Sequence, residues 1–74
     1  MKKDRVKLIS VCEGLRTDYV EPSVVCAAQH ALSIMDQEEG CVHAIEVNGK
    51  LLWEFKGKKS LKKLEELAVG ECVK

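Results

Sequence analysis

This sequence has no long apolar run, no net charge and few aromatic side chains. No apolar stretch approaches the roughly 18–20 residues that a membrane-spanning helix needs, so we expect no membrane association. Lysine plus arginine number 12 and aspartate plus glutamate number 12, which excludes a general electrostatic attraction to nucleic acid or anionic lipid. The same balance gives little electrostatic protection against self-association, so a homodimer is one expectation.

The four cysteines, Cys12, Cys26, Cys41 and Cys72, include no C-x-x-C pair. The start of the chain, MKKDRVKLISV, has basic residues but neither the apolar stretch nor the cleavage site of a signal peptide. We therefore expect a cytoplasmic protein with free thiols in a reducing compartment. A catalytic thiol is disfavoured because the sequence places no base beside any cysteine.

Composition predicts one folded domain spanning residues 1–74. Hydrophobic residues make up 46% of the chain and charged residues 32%, which argues against disorder. A domain of 74 residues buries a modest fraction of its surface, so it is marginally stable unless it is cross-linked or oligomeric.

The strongest structural signal is the stretch Cys41–Lys56, which predicts a β-hairpin. Asn48 and Gly49 lie between two β-prone runs, and both residues tolerate the positive φ of a type I′ turn. Trp53 and Phe55 mark the predicted core face, because aromatic rings bury the largest area per residue. A regular register then leaves the opposite face open, with four residues at its centre: His43, Ile45, Leu52 and Glu54.

Three further elements are predicted along the chain. Arg5–Cys12 is rich in β-branched residues and predicts a strand, followed by a loop over Glu13–Glu21. Pro22 is expected to open a helix that runs to about Glu39, with Gly40 ending it in a left-handed conformation. A second helix is expected after an N-cap at Ser60, with its buried stripe on Leu61, Leu64, Leu67 and Ala68.

These elements predict an α+β domain with the order β-α-β-β-α. A right-handed crossover would place the first strand parallel to the second, giving a three-stranded mixed sheet. Two helices would pack on one face of the sheet. The other face would stay open, and an open, partly apolar face on a marginal domain favours a partner.

A metal site is the first candidate for chemistry, because Cys26, His30, Cys41 and His43 are zinc-type ligands. Cys26 and His30 fall on the helix face away from the sheet, whereas Cys41 and His43 fall on the sheet face away from the helix. The two pairs should not converge within one subunit, so we expect no metal and no other cofactor.

A second candidate is acid–base chemistry by His43 and Glu54, which the regular register places opposite each other. A surface cross-strand pair worth a few tenths of a kcal/mol is far more common, and no pocket is evident in so small a chain. We therefore expect no enzymatic activity and no catalytic residue.

The third candidate is a lysine cluster around the start of the second helix. Cations there oppose the helix dipole, but together with free backbone N–H groups they suit an anion such as phosphate or nucleic acid. A competing interpretation is neutralisation by Asp36, Glu38 and Glu39 at the end of the first helix. No aromatic residue interleaves with the lysines, so base stacking is unsupported. The cluster comprises Lys56, Lys58, Lys59, Lys62 and Lys63.

The sequence therefore predicts a small intracellular, non-enzymatic binding or regulatory protein. It would act through a protein–protein surface on the open sheet face, at His43, Ile45, Leu52 and Glu54, or on an exposed sheet edge. The alternative is an anion or nucleic-acid binder that uses the lysine cluster.

Overall fold

The computed structural model describes residues 4–37 and 40–70. These residues form a small α+β domain in which one antiparallel sheet has the strand order β2-β1-β3-β4. The elements in chain order are β1 Val6–Cys12, β2 Leu15–Glu21, α1 Val24–Gln37, β3 Val42–Val47, β4 Lys50–Glu54 and α2 Lys58–Leu67.

The segment predicted as a loop, Glu13–Glu21, contains the strand that the sequence prediction missed. Glu13 and Gly14 both adopt positive φ, 52° and 81°, and make a two-residue turn that returns the chain along β1. Because β2 reverses the chain before α1, β3 enters the sheet antiparallel to β1. The predicted three-stranded mixed sheet is therefore wrong: the described sheet has four strands, all antiparallel.

Helix α1 begins two residues later than predicted. The Ser23 hydroxyl accepts a hydrogen bond from the backbone N–H of Cys26 at 3.2 Å, so Ser23 caps the helix and Pro22 precedes the cap. Gly40 has the predicted left-handed conformation, at φ 82°. The predicted helix end at Glu39 lies outside the described residues. Fully buried Ala27, Ala28 and Ala31 face the sheet.

The second hairpin has the predicted turn but not the predicted register. Asn48 and Gly49 have φ of 54° and 82°, and Val47 pairs with Lys50. The register then shifts between Ile45 and Glu46, which leaves Leu52 as the extra residue of a β-bulge. Ile45 consequently faces Trp53, and both side chains point towards the helices.

Helix α2 begins at Lys58, ahead of the predicted cap. Ser60 lies inside the helix, where its hydroxyl accepts a hydrogen bond from the Lys56 backbone N–H at 2.8 Å. The Ser60 carbonyl accepts the indole N–H of Trp53, also at 2.8 Å, which satisfies the polar end of a nearly buried ring. Leu64 anchors the helix to the core.

The core lies between the sheet and the two helices. Strand alternation puts every second residue of β1, β2 and β3 on this side, and the opposite side of the sheet faces no described helix. The fully or nearly buried members of the core are Val6, Leu8, Ala27, Ala28, Ala31, Ile45, Trp53 and Leu64.

Disulfides replace the predicted free thiols. Cys12 and Cys41 are bonded and their Cα atoms are 4.5 Å apart, the spacing of directly opposite residues in a non-hydrogen-bonded antiparallel pair. Cys26 is disulfide-bonded as well. Within residues 4–37 and 40–70 every cysteine is therefore bonded, and the expectation of free thiols is wrong.

Candidate functional site

The four residues predicted to form an open face do not share one. His43 and Ile45 are 1% and 0% exposed and point into the core. Leu52 lies at the bulge, and Glu54 pairs with Ala44 on the side of the sheet away from the helices. The bulge is the physical reason. Because β4 has one extra residue, each side chain after Leu52 points to the opposite side of the sheet from the one that a regular hairpin would give it.

The same shift removes the predicted pair of His43 and Glu54, whose side chains lie on opposite sides of the sheet. The predicted metal ligands are also used otherwise. Cys26 and Cys41 are in disulfides, so neither sulfur is a free thiolate. His30 pairs with a carboxylate, as described below. No group of three or more metal-ligating side chains gathers within the described ranges.

The lysine cluster is exposed and only partly paired. The Lys56 ammonium lies 2.7 Å from the Glu54 carboxylate, and this hydrogen bond and charge raise the pKa of Lys56. In the described part of the chain the other members form no ion pair: Lys58, Lys59, Lys62 and Lys63. The Glu38 and Glu39 carboxylates proposed to neutralise them, and the Asp36 side chain, lie outside the described residues.

The outer side of β2 is one of the two edges of the described sheet. β1 pairs with one side of β2, and no described strand pairs with the other. In a hairpin with a two-residue turn, the residues that flank the turn, Cys12 and Leu15, form a hydrogen-bonded pair, and hydrogen-bonded pairs then alternate. The backbone N–H and C=O groups of Arg16, Asp18 and Val20 therefore point outwards.

An open groove of about 800 Å³ runs between this edge and α1. His30 Nδ1 lies 2.5 Å from Glu21 Oε1, and the rings of His30 and Tyr19 pack edge to face with centroids 4.7 Å apart. Glu21 is only 11% exposed at its side chain, whereas His30 is 37% exposed and borders the groove. Gln29 and Ser33 continue the helical wall.

Sequence reasoning missed this groove because it missed β2. Without a strand at that position, His30 had no neighbour on its side of α1 and was assigned to the face away from the sheet. The signal that would have found it is the Glu13-Gly14 dipeptide, which separates two seven-residue strands.

Charges and apolar residues mix on the side of the sheet that the described helices leave uncovered. Arg16 Nε lies 2.9 Å from Asp18 Oδ1, and this hydrogen bond lowers the pKa of Asp18 and raises the pKa of Arg16. Val20 is 81% exposed on the same side, at the outermost strand. The edge of β2 thus presents backbone groups that meet no described strand, together with the Arg16–Asp18 ion pair and an exposed valine.

Comparisons of the chain with protein-family models, curated proteins and solved structures find no match. In the described residues, neither helix has the length and apolar character needed to cross a membrane. The geometry of the edge and its groove is therefore the basis for assigning a function.

Proposed function

We propose that this protein is a small non-enzymatic binding or regulatory protein, and that its docking surface is the outer edge of β2. The observation that carries the proposal is the backbone pairing of β2. Seven consecutive residues of β2 pair with β1 on one side, and the outward backbone groups of Arg16, Asp18 and Val20 meet no described strand.

Exposed edges of this kind accept an extended segment of another polypeptide as an additional strand. Main-chain hydrogen bonds supply affinity, and alternate side chains of the added strand supply specificity. Here one set of side chains would meet the groove at Tyr19 and His30. The other set would meet Arg16, Asp18 and Val20 on the opposite side of the sheet.

The substitution Val20→Pro tests most directly whether this edge pairs with an added strand. Val20→Pro removes an N–H that points away from β1, and proline is tolerated at an edge strand in that orientation. The variant should therefore fold, as judged by circular dichroism, whereas an added strand loses a backbone hydrogen bond and meets a ring. Val20→Thr is the matched control, because it keeps the β-branched shape and the N–H.

Linear peptides selected from a random display library against the oxidised protein supply the ligands. We expect the peptides to bind the wild type and Val20→Thr alike, and to bind Val20→Pro at least about tenfold more weakly, which corresponds to about 1.4 kcal/mol. Peptides that bind all three proteins equally well would contradict the proposal.

An anion or nucleic-acid binder is the second candidate function. The observation that favours it is the exposure of Lys58, Lys59, Lys62 and Lys63, which form no ion pair with any residue that the structure describes. Replacing all four with glutamine should weaken binding to an oligonucleotide and flatten its salt dependence, with Lys50→Gln as the control. Unchanged binding and an unchanged salt slope would remove this candidate.

The cytoplasmic location expected from the sequence stays a prediction. The disulfides count against it, because disulfides form and persist in oxidising compartments and are rare in the cytosol. Mass spectrometry of the protein isolated from its source with thiols blocked at lysis would distinguish the two, since a cytosolic chain would be recovered alkylated at Cys12 and Cys41.

A further inference from the structure

We infer that the strand which the β2 edge accepts is β2 of a second copy of this chain, paired antiparallel with Thr17 facing Thr17 on a two-fold axis. This inference rests on the proposed function and names its partner. It follows from the hydrogen-bonding pattern of the edge, its charges and one exposed leucine.

Hydrogen bonding restricts the registers. A symmetric antiparallel pair must join outward-pointing residues to outward-pointing residues, and these are Arg16, Asp18 and Val20. The two-fold axis can then pass through any one of positions 16–20. Centring it on Arg16 or on Asp18 places like charges directly opposite each other, which destabilises a strand pair. Centring it on Tyr19 or Val20 leaves Arg16 and Asp18 without an opposite charge across the interface.

Only the register centred on Thr17 is complementary in charge. Arg16 of each copy then faces Asp18 of the other, twice by symmetry. Each copy already pairs Arg16 with its own Asp18 at 2.9 Å, so the two copies would form one alternating network of four charges. Such networks are more stabilising than isolated surface pairs, and the opposite charges also select this register over its neighbours.

The same register gives an exposed leucine a place to pack. Leu15 is 75% exposed and shares the helix side of β2 with Tyr19. With Thr17 on the axis, Leu15 of the second copy lies directly opposite Tyr19 as a non-hydrogen-bonded pair, where side chains approach most closely. It would therefore enter the groove beside the Tyr19 and His30 rings, and the symmetric contact would fill the other groove.

The position of α1 leaves room for this arrangement. The helix packs mainly over β1 and β3, so it is set back from the outer edge of β2. Pairing two copies would produce a continuous eight-stranded antiparallel sheet with the helices of both copies on one side. The interface is small, which places the dimer among the weaker specific associations.

A charge-mixing experiment tests the register. Sedimentation equilibrium on the oxidised full chain measures self-association of the wild type, of Arg16→Glu and of Asp18→Lys. Both positions are exposed, so both variants should fold, and circular dichroism checks this. Each variant alone faces like charges across the axis. We expect the dissociation constant of each to rise at least tenfold above that of the wild type.

Mixing the two variants in equal amounts should restore dimerisation. The glutamate introduced at position 16 of one chain then faces the lysine introduced at position 18 of the other. The unchanged Asp18 of the first chain likewise faces the unchanged Arg16 of the second. A change in the stability of the folded monomer cannot produce this recovery, so the mixture reports on the charges that meet across the axis.

Three results would overturn the inference. The first is a wild type that stays monomeric up to about 1 mM, which corresponds to about −4 kcal/mol of binding free energy. The second is a dimer that both variants leave unchanged, and the third is a mixture that shows no recovery. Peptide binding that is still lost in Val20→Pro would, in those cases, leave the proposed function standing without self-pairing.

Discussion

The two hairpins of this domain begin alike and end differently. Each has a two-residue turn with both residues at positive φ, Glu13-Gly14 in the first and Asn48-Gly49 in the second. The first then pairs without interruption for seven residues, whereas a bulge at Leu52 interrupts the second after two pairs. The same local start thus gives one hairpin with a regular register and one with a bulge.

The two hairpins also supply the two edge strands of the described sheet, and these edges differ in how readily they could pair with another chain. β4 is five residues long, carries a lysine and is bulged, and all three features discourage pairing with another chain. β2 is seven residues long, and none of its described residues is a proline, a lysine or part of a bulge. One edge is protected and the other is open, which is why we place the docking surface on β2.

The bulge also decides which residues are buried, and this gives the largest predicted effect. Ile45→Glu places a charge at a fully buried position and should destabilise the domain by about 4 kcal/mol or more, whereas Leu52→Glu at the bulge should change stability by no more than about 0.5 kcal/mol. Urea denaturation measures both values. Ile45→Val is the size control, at about 1 kcal/mol. Equal losses in the two glutamate variants would show that the bulge is absent.

The two turns predict the next largest effect. Glu13 and Asn48 have nearly the same φ, 52° and 54°, but only asparagine tolerates this conformation well. Glu13→Asn should therefore stabilise the domain by about 1 kcal/mol.

The reciprocal change, Asn48→Glu, should destabilise the domain by about 1–2 kcal/mol. It also loses the hydrogen bond that the Asn48 amide oxygen accepts from the Arg5 N–H at 2.8 Å. Thermal unfolding compares the two variants, and a Glu13→Asn protein less stable than the wild type would contradict the assigned turn.

Deleting Leu52 should convert the protected edge into an open one. The deletion removes only the extra residue, so Trp53 stays opposite Ile45 on the core face, and stability should change by no more than about 1 kcal/mol. β4 would then be flat along its length, and we expect new self-association that Val20→Pro does not abolish. Leu52→Ala, which keeps the bulge, is the control and should show no such association in light scattering.

Sequence alone was sufficient for the parts of the fold that depend on local chemistry. The Asn48-Gly49 turn, the burial of Trp53 and the burial of Leu64 on α2 follow from turn preference and periodicity, and the structure confirms them. The bulge was beyond such reasoning, because period-2 alternation assigned Ile45 and Trp53 to opposite faces, and only packing against the helices resolves the conflict.

The sequence did not predict the candidate site at β2 for a different reason. β2 has a weak strand pattern because five of its seven residues are exposed and it has no buried stripe. An edge strand with one sparsely covered face does not show the alternation that sequence reasoning detects. The exposure that leads us to propose β2 as a docking surface thus also weakens the strand pattern that sequence reasoning detects.

The smallest expected effect concerns two exposed ion pairs, Arg16–Asp18 at the first hairpin and Lys56–Glu54 at the second. Arg16 lowers the pKa of Asp18 on β2, and Glu54 raises the pKa of Lys56 just after β4. A carboxyl group with a lowered pKa contributes stability above its unfolded pKa, and that contribution is lost as the pH falls through the folded value. A lysine with a raised pKa contributes below its unfolded pKa, and the contribution is lost as the pH rises through the folded value. The first hairpin should therefore lose its pair in acid and keep it in alkali, because arginine stays charged there, whereas the second should lose its pair in alkali.

Arg16→Gln and Glu54→Gln separate these two losses. Both pairs are solvent-exposed, so each difference from the wild type should be small and should shrink further in high salt. We expect Arg16→Gln to change stability above the acidic range in which Asp18 titrates and to keep its effect in alkali, whereas Glu54→Gln should lose its effect in the alkaline range in which Lys56 titrates. Stability measured by denaturation across the alkaline range would contradict the assignment if Arg16→Gln lost its effect there or if Glu54→Gln kept its effect. If β2 pairs with a second copy, protonating Asp18 also weakens the charge network across the axis, so acid should dissociate the dimer while the Glu54→Gln protein dissociates at the same pH as the wild type.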